Sequence, residues 1–486
     1  MQGLGLGRRI ALVAGPLLCA VPFIFPAPEG LSDPAWRLVG LTLWMAVWWL
    51  SEVIPLAATA LIPIPMMPLL GIAEEDPITA SYADPLIFLF LGGFLIAAAM
   101  QRWGLHRRIA LNIVRVVGTS PGGIIGGFMI ATAFLSMWIS NTATSVMMFA
   151  VGISLIDYIE DHSDDAAKVR NFGVALMLGI AYSASIGGVA TLIGTPPNGL
   201  MASFLSDTYQ TDINFSTWML IGVPIMLVML PIVWVWLTRL AFPISGMQLS
   251  GASDVIQDEV AELGEMSRGE KIVLAVFVLT ALAWISSSFI ERLFGYEYSD
   301  TGVAILASVL LFAIPVSLKD REFALDWESA ADIPWGVLLL FGGGLALASA
   351  FSSTGLAEAI GNGVSGLQNI NIWLIVLVVS VVIIFLTELT SNTATAATFL
   401  PIMGAAAVGL GQSPLLLVVP VAVSASMAFM MPVATPPNAI VFAYEGLRIQ
   451  DMVKAGAVLN VLTIGIVFVA MYFLVPLVLG ISVGVG

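Results

Sequence analysis

Runs of about 20 apolar residues recur along the whole of the 486-residue chain, each long enough to cross a hydrocarbon layer of roughly 30 Å as a helix. With turn residues as punctuation, they predict spans near 10–26, 36–52, 54–70, 85–101, 169–204, 215–243, 271–290, 299–317, 332–351, 412–445 and 453–481. Two further apolar pairs, 121–159 and 369–410, each turn at a central Ser-Asn-Thr and read as helical hairpins. The expected fold class is an all-α polytopic membrane protein. The first run follows Arg8 and Arg9, has no convincing cleavage site and is followed by more spans, so it reads as a retained helix. Cys19 is the single cysteine and can form no intrachain disulfide.

Composition agrees with this pattern. The chain is 59% hydrophobic and 10% charged, which overrules a set of soluble domains. Its net charge is -15, and six acids between Asp254 and Glu270 fall in one polar linker, read here as solvated. The charge does not name a substrate. The basic residues set orientation: with the N-terminus inside and each hairpin returning to its own side, only Arg37 and Arg292 of the 17 lie outside. The C-terminus is then outside. Leu105–Val117, with Arg107, Arg108 and Arg115, reads as an amphipathic arm on the membrane surface.

The chain also repeats itself. Gly92 and Gly342 are 250 residues apart, Gly104 and Gly355 are 251 apart, and SNTAT begins at Ser140 and again at Ser391, also 251 apart. GTPPN from Gly194 returns as ATPPN from Ala434, at an offset of 240. The expected organisation is an N-terminal helix (1–35), a first repeat (36–243) with hairpin 121–159 and broken helix 169–204, and an acidic cytoplasmic linker (244–270). A second repeat (271–486) carries hairpin 369–410 and broken helix 412–445. By the orientation above, the first copy starts outside and the second inside, so they are inverted. Inverted repeats with broken helices point to a secondary transporter whose site lies where the copies meet.

Pro cannot continue a helix but is favoured in its first turn after a Thr cap, so Thr195-Pro196-Pro197 and Thr435-Pro436-Pro437 each begin a new half-helix. Ser140 or Asn141, and Ser391 or Asn392, can cap the helices that follow them. Four helix N-termini then aim at one region, which suits an anion. The carbonyls left at the other half-helix ends, with the Ser136, Asn141 and Asn392 side chains, can form oxygen cages for Na+. No Lys or Arg is expected at that depth, so bound cations supply the missing positive charge.

SNTAT twice, IGTPPN, ATPPN, WWLSEVIPLAATALIP from Trp48 and LTELTSNTA from Leu386 together resemble the divalent anion:sodium symporter family over nearly the whole chain. The resemblance implies eleven spans plus two re-entrant hairpins, a homodimer in membrane lipid and elevator-type alternating access. It also implies C4 dicarboxylates such as succinate, malate and fumarate, carried with several Na+. Residue by residue it puts one sodium site on Ser136, Ser140, Asn141 and Gly194, and a second on Thr387, Thr390, Asn392 and Ala434. It puts the carboxylate contacts on Ser140, Asn141, Thr142, Ser391, Asn392 and Thr393, with Thr195, Thr435 and Pro436 nearby. No nucleic-acid partner is expected.

Other polar residues receive structural readings. Glu388 reads as a structural acid bonded to neighbouring backbone, since an anion site gains nothing from a negative neighbour. Glu52 reads as interfacial, and His106 and His162 as solvated. There is no HExxH, no paired His and no nucleophile beside a base, so an intramembrane enzyme has no support. A channel needs a continuous pore rather than two sealed half-sites. Sulfate, citrate and strict exchange remain open alternatives within transporters.

Overall fold

The structure, a computed structural model, describes residues 5–118, 120–162, 165–247, 252–296 and 298–480. Helices dominate, and the only strands among the described residues are the short antiparallel pair Pro315–Ser317 and Glu322–Phe323. One starting device recurs: a polar cap followed at once, or one residue later, by proline. Ser32 accepts from Ala35 N ahead of Asp33–Ser51, Asp84 from Leu86 N ahead of Pro85–Arg102, and Ser120 from Gly123 N ahead of Pro121–Ser136.

Eight helices among the described residues are long and apolar enough to cross a membrane singly; the span expected at 36–52 is the continuous helix Asp33–Ser51, and others are broken or shorter. The stretch expected as one span at 54–70 is two helices, Leu56–Ala60 and Pro63–Leu69. Pro63, Pro65 and Pro68 remove the donors that a continuous helix would need. The span expected at 299–317 ends at Ala313, because Ile314 is extended and leads into the first strand.

Both hairpins form. Pro121–Ser136 turns into Asn141–Asp161, and Ile372–Thr387 turns into Asn392–Gly409. Each broken helix is also present, as Ala166–Val189 with Pro196–Tyr209 and as Leu415–Ala425 with Pro436–Val441. Each repeat closes the same way. Phe215–Val235 and Ile449–Val469 are both 21 residues long, and each runs into a π-helical turn.

Ala166–Val189 is the axis of the core. Its most apolar window is wholly buried, whereas that of Leu6–Ile24 is 11% buried and presents apolar side chains outward, as a lipid-facing helix must. Close approach is possible because the buried helix is rich in glycine. A Cβ placed on Gly187 would stand 2.3 Å from the Ala133 carbonyl oxygen, so the two helices touch backbone to backbone there.

The arm Leu105–Val117 has a partner the sequence reading did not identify. Leu356–Val364 follows Gly355 as Leu105 follows Gly104, and each of these glycines sits at positive φ. The segment Leu356–Leu367 bends by 118° into Ile372–Thr387. The first arm is also less solvated than its charges suggest. Arg107 pairs with Glu259 at 2.6 Å, and Arg108 pairs with Glu270 at 2.6 Å while donating to the Leu263 and Gly264 carbonyls. The acidic linker, read as solvated, is thus partly a counter-ion for the arm, and includes the helix Ala252–Glu262.

His106 departs from expectation in the same way. Its ring is half-buried with Nδ1 3.1 Å from the Met100 carbonyl, and burial holds its pKa below the ordinary histidine value. His162 is exposed and stacks on Tyr158.

Gly187→Ala is expected to destabilise the protein by about 1–3 kcal/mol through overpacking. Gly465→Ala, where nothing lies within 4 Å, is the matched control and should cause no loss. Thermal unfolding midpoints in detergent would separate them.

Candidate functional site

The two Ser-Asn-Thr turns and the two Thr-Pro-Pro breaks meet at one cavity of about 930 Å³. Ser140, Asn141, Thr142, Gly194 and Thr195 line it from the first repeat, and Ser391, Asn392, Thr393, Ala434, Thr435 and Pro436 from the second. Four helix N-termini therefore open onto one space; those at Ser140 and Ser391 present backbone N–H groups, whereas Pro196-Pro197 and Pro436-Pro437 carry none, so the Thr195 and Thr435 ends act through the helix dipole and the threonine hydroxyls. Ser140 accepts from Ala143 N at 3.2 Å and Thr435 from Asn438 N at 3.3 Å. Ser391 and Thr195 occupy the same cap positions without a side-chain capping bond, and the Thr195 hydroxyl is engaged across the repeats instead. Thr195 Oγ1 stands 3.4 Å from Ser426 Oγ across the repeats.

Behind the lining lie two clusters of oxygen. Ser136, fully buried, donates to the Ala184 carbonyl at 2.7 Å and lies against the Asn141 side chain. Thr387, equally buried, bonds to the Ala425 carbonyl at 2.9 Å and to Asn392 Oδ1 at 2.7 Å. The side chains correspond at the 251-residue offset of the repeat, and the accepting carbonyls lie within one residue of the 240-residue offset of the broken helices. Asn198 Nδ2 reaches the Gly188 and Thr191 carbonyls at 3.3 and 2.8 Å, and Asn438 Nδ2 the matching Ala428 and Met431 carbonyls at 3.2 and 3.0 Å. The two copies use one hydrogen-bond template twice.

That template fits a hard cation. The Asn141 amide faces Ser136 Oγ and the Ala184 and Gly194 carbonyls; with its nitrogen turned there, it donates to both carbonyls at 3.2 Å. With its oxygen turned there, four oxygens converge, a donor set that suits a hard cation. Among the described residues no group of three or more His, Cys, Asp or Glu is placed to hold a metal ion.

Thr390 stands apart from the second cluster. Its hydroxyl is held by the Leu386 carbonyl at 2.9 Å and by Thr395 Oγ1 at 2.7 Å, and no hydrogen bond links it to Thr387 or Asn392.

One difference between the copies is marked by Glu388. The first broken helix runs to Val189, but its counterpart stops at Ala425, four residues earlier in register. The amides of residues 429–431 are thereby left without helical partners, and a buried amide needs one. Glu388 accepts from Phe429 N at 2.7 Å, Met430 N at 2.9 Å and Met431 N at 2.9 Å, and from Asn460 Nδ2 at 2.7 Å. It is a structural acid, and its place in the first copy is taken by Met137, whose carbonyl accepts from Thr191.

Sequence reasoning missed Thr191, Tyr182 and Asn460. Tyr182 OH donates to the Phe429 carbonyl at 2.8 Å and ties the copies together. Asn460 was detectable as a lone amide in an apolar run; Tyr182 gave no signal, because tyrosine in an apolar helix is unremarked.

Glu388→Ala should orphan three backbone donors and cost several kcal/mol, at about 1–3 for each unsatisfied group. Glu388→Gln, which keeps one acceptor oxygen, should cost less. Unfolding midpoints of the two variants in detergent test the order.

Residues 4–479 match the family model described as the sodium:sulfate symporter transmembrane region. The chain is 43% identical to the sodium-dependent dicarboxylate transporter SdcS of Staphylococcus saprophyticus, over 98% of this chain and 93% of that one. It is 41% identical to SdcS of Staphylococcus aureus over the same shares. Among solved structures, the YdaH transporter of Alcanivorax borkumensis shares the fold with a TM-score of 0.58 at 12% identity, over 90% of this chain and 97% of that one. By family match and by near-full-length identity, this chain belongs to the divalent anion:sodium symporter family of membrane transporters, which are not enzymes.

Proposed function

We propose that the protein moves C4 dicarboxylates such as succinate, malate and fumarate across the cytoplasmic membrane together with Na+. The carrying observation is the pair of Ser-Asn-Thr turns lining one cavity, each backed by its own oxygen cluster. Two anion-binding helix ends on one cavity suit a guest with a carboxylate at each end. Na+ in the two clusters offsets its charge, because none of the lining residues from the motifs is basic. Relatives at 41–43% identity are named for sodium-dependent dicarboxylate transport.

On this reading Ser136, Ser140, Asn141 and Gly194 hold one Na+, and Thr387, Asn392 and Ala434 hold the second, with Thr390 joining after its hydroxyl turns from Thr395. The N-terminus is inside, the C-terminus outside, and the hairpins with the broken helices move as an elevator within a homodimer. Sulfate is the second reading, favoured by the description of the matching family model.

Labelled succinate uptake into proteoliposomes, with and without a Na+ gradient and against added sulfate and citrate, tests the proposal. Uptake should require Na+ and resist sulfate; uptake indifferent to Na+ rejects symport. Asn141→Ala and Asn392→Ala should each lower Na+-driven uptake about 10-fold or more, the equivalent of one charge-assisted bond lost.

A further inference from the structure

The cavity wall carries one basic residue, Arg102. Phe94, Ala97, Ala98 and Gln101 trace the wall along the last turns of Pro85–Arg102, so Arg102 lies about 12 Å along the helix axis from Phe94. Glu52, Gln101 and Asp332, which also line the cavity, are exposed, and they mark its mouth. Arg102 therefore stands at the exit and not at the Ser-Asn-Thr turns.

Its guanidinium lies over the Trp103 ring, 5.7 Å from the centroid, and faces two carboxylates. Nη1 is ion-paired with Asp326, and Nη2 is 3.8 Å from Glu322, beyond hydrogen-bond reach. An arginine carries five donors in a planar fork that fits a carboxylate. Asp326 is held in place independently: its carboxylate caps Ser329 N at 2.8 Å. That backbone bond, with the Arg102 charge beside it, keeps the Asp326 carboxyl below the usual range, so it stays an anion. Ser329 and Gln101 line the same mouth and add a hydroxyl and an amide donor.

Electrostatics make this arrangement consequential. Glu52 and Asp332 share the mouth and repel an anion, and Arg102 alone opposes them among the lining residues. A dianion that has given up its Na+ cannot pass two carboxylates without a cation to receive it. We infer that Arg102 forms a second carboxylate-binding station at the cavity mouth, where a carboxylate of the departing dianion exchanges with Asp326 on the guanidinium. The station rests on the dicarboxylate reading and adds a site that neither Ser-Asn-Thr turn contains. It governs affinity at the face onto which the cavity opens, which is the cytoplasmic one in the proposed orientation.

Substrate affinity measured separately at the two faces, in right-side-out and inside-out vesicles, tests the inference. Asp326→Asn removes the competitor and should tighten succinate binding at the cytoplasmic face about 5-fold, the scale of one partly exposed ion pair. The outer face should not change. Arg102→Gln should weaken cytoplasmic-face binding and flatten its salt dependence, and Arg102→Lys, which restores charge without the fork, should recover part of it. If Asp326→Asn unfolds, Glu322→Gln should shift affinity in the same direction by a smaller factor. Equal affinities at both faces in all variants, or lower unfolding midpoints alone, would reduce Arg102 to a structural staple and overturn the inference. Sodium-dependent uptake by the wild type is read alongside. Its absence would sink the dicarboxylate proposal itself, whereas its presence with unchanged variants sinks only the station.

Discussion

A helix broken inside an apolar layer leaves donors and acceptors that water cannot reach, and every other feature of this molecule answers that constraint. The donors at Thr195, Thr435, Ser140 and Ser391 turn toward a shared cavity. The acceptors at Ala184 and Ala425 turn toward buried hydroxyls. Had the breaks been absent, the same apolar runs would make an ordinary bundle with nothing to hold an ion. The polarity of the centre is thus made chiefly of backbone, and the side chains serve to aim it.

Duplication explains how such a centre is assembled without a single basic residue at its heart. Each copy supplies one set of N-H groups and one set of carbonyls, and inversion brings like ends to one cavity. Tyr182 fastens the two across the middle by bonding to Phe429. One departure from symmetry has a physical cause. Where the second broken helix stops short, three amides lose their partners, and a carboxylate that the first copy has no need of takes them up.

Much of this was legible in the chain. The Ser-Asn-Thr turns inside apolar runs gave the hairpins and the Thr-Pro-Pro breaks gave the half-helices, since those signals are local and strong: Pro196 and Pro436 each follow a threonine cap in a first turn that favours proline. The matched offsets made the repeat visible. What stayed hidden depended on contacts between distant segments. The engagement of Thr390 with Thr395 depends on which way one hydroxyl turns. The pairing of Arg107 and Arg108 with the acidic linker needs that linker to fold back over 150 residues of intervening chain, and charge pattern alone reads it as solvated. The second arm, Leu356–Val364, carries a single acid and no base, so the charge signature that exposed the first arm was missing.

The doubled hydrogen-bond pattern gives the protein its own internal control. Ser136 and Thr387 perform matching tasks in one molecule, in one membrane and in one preparation. A difference between them can be read within one molecule, without reference to any other protein.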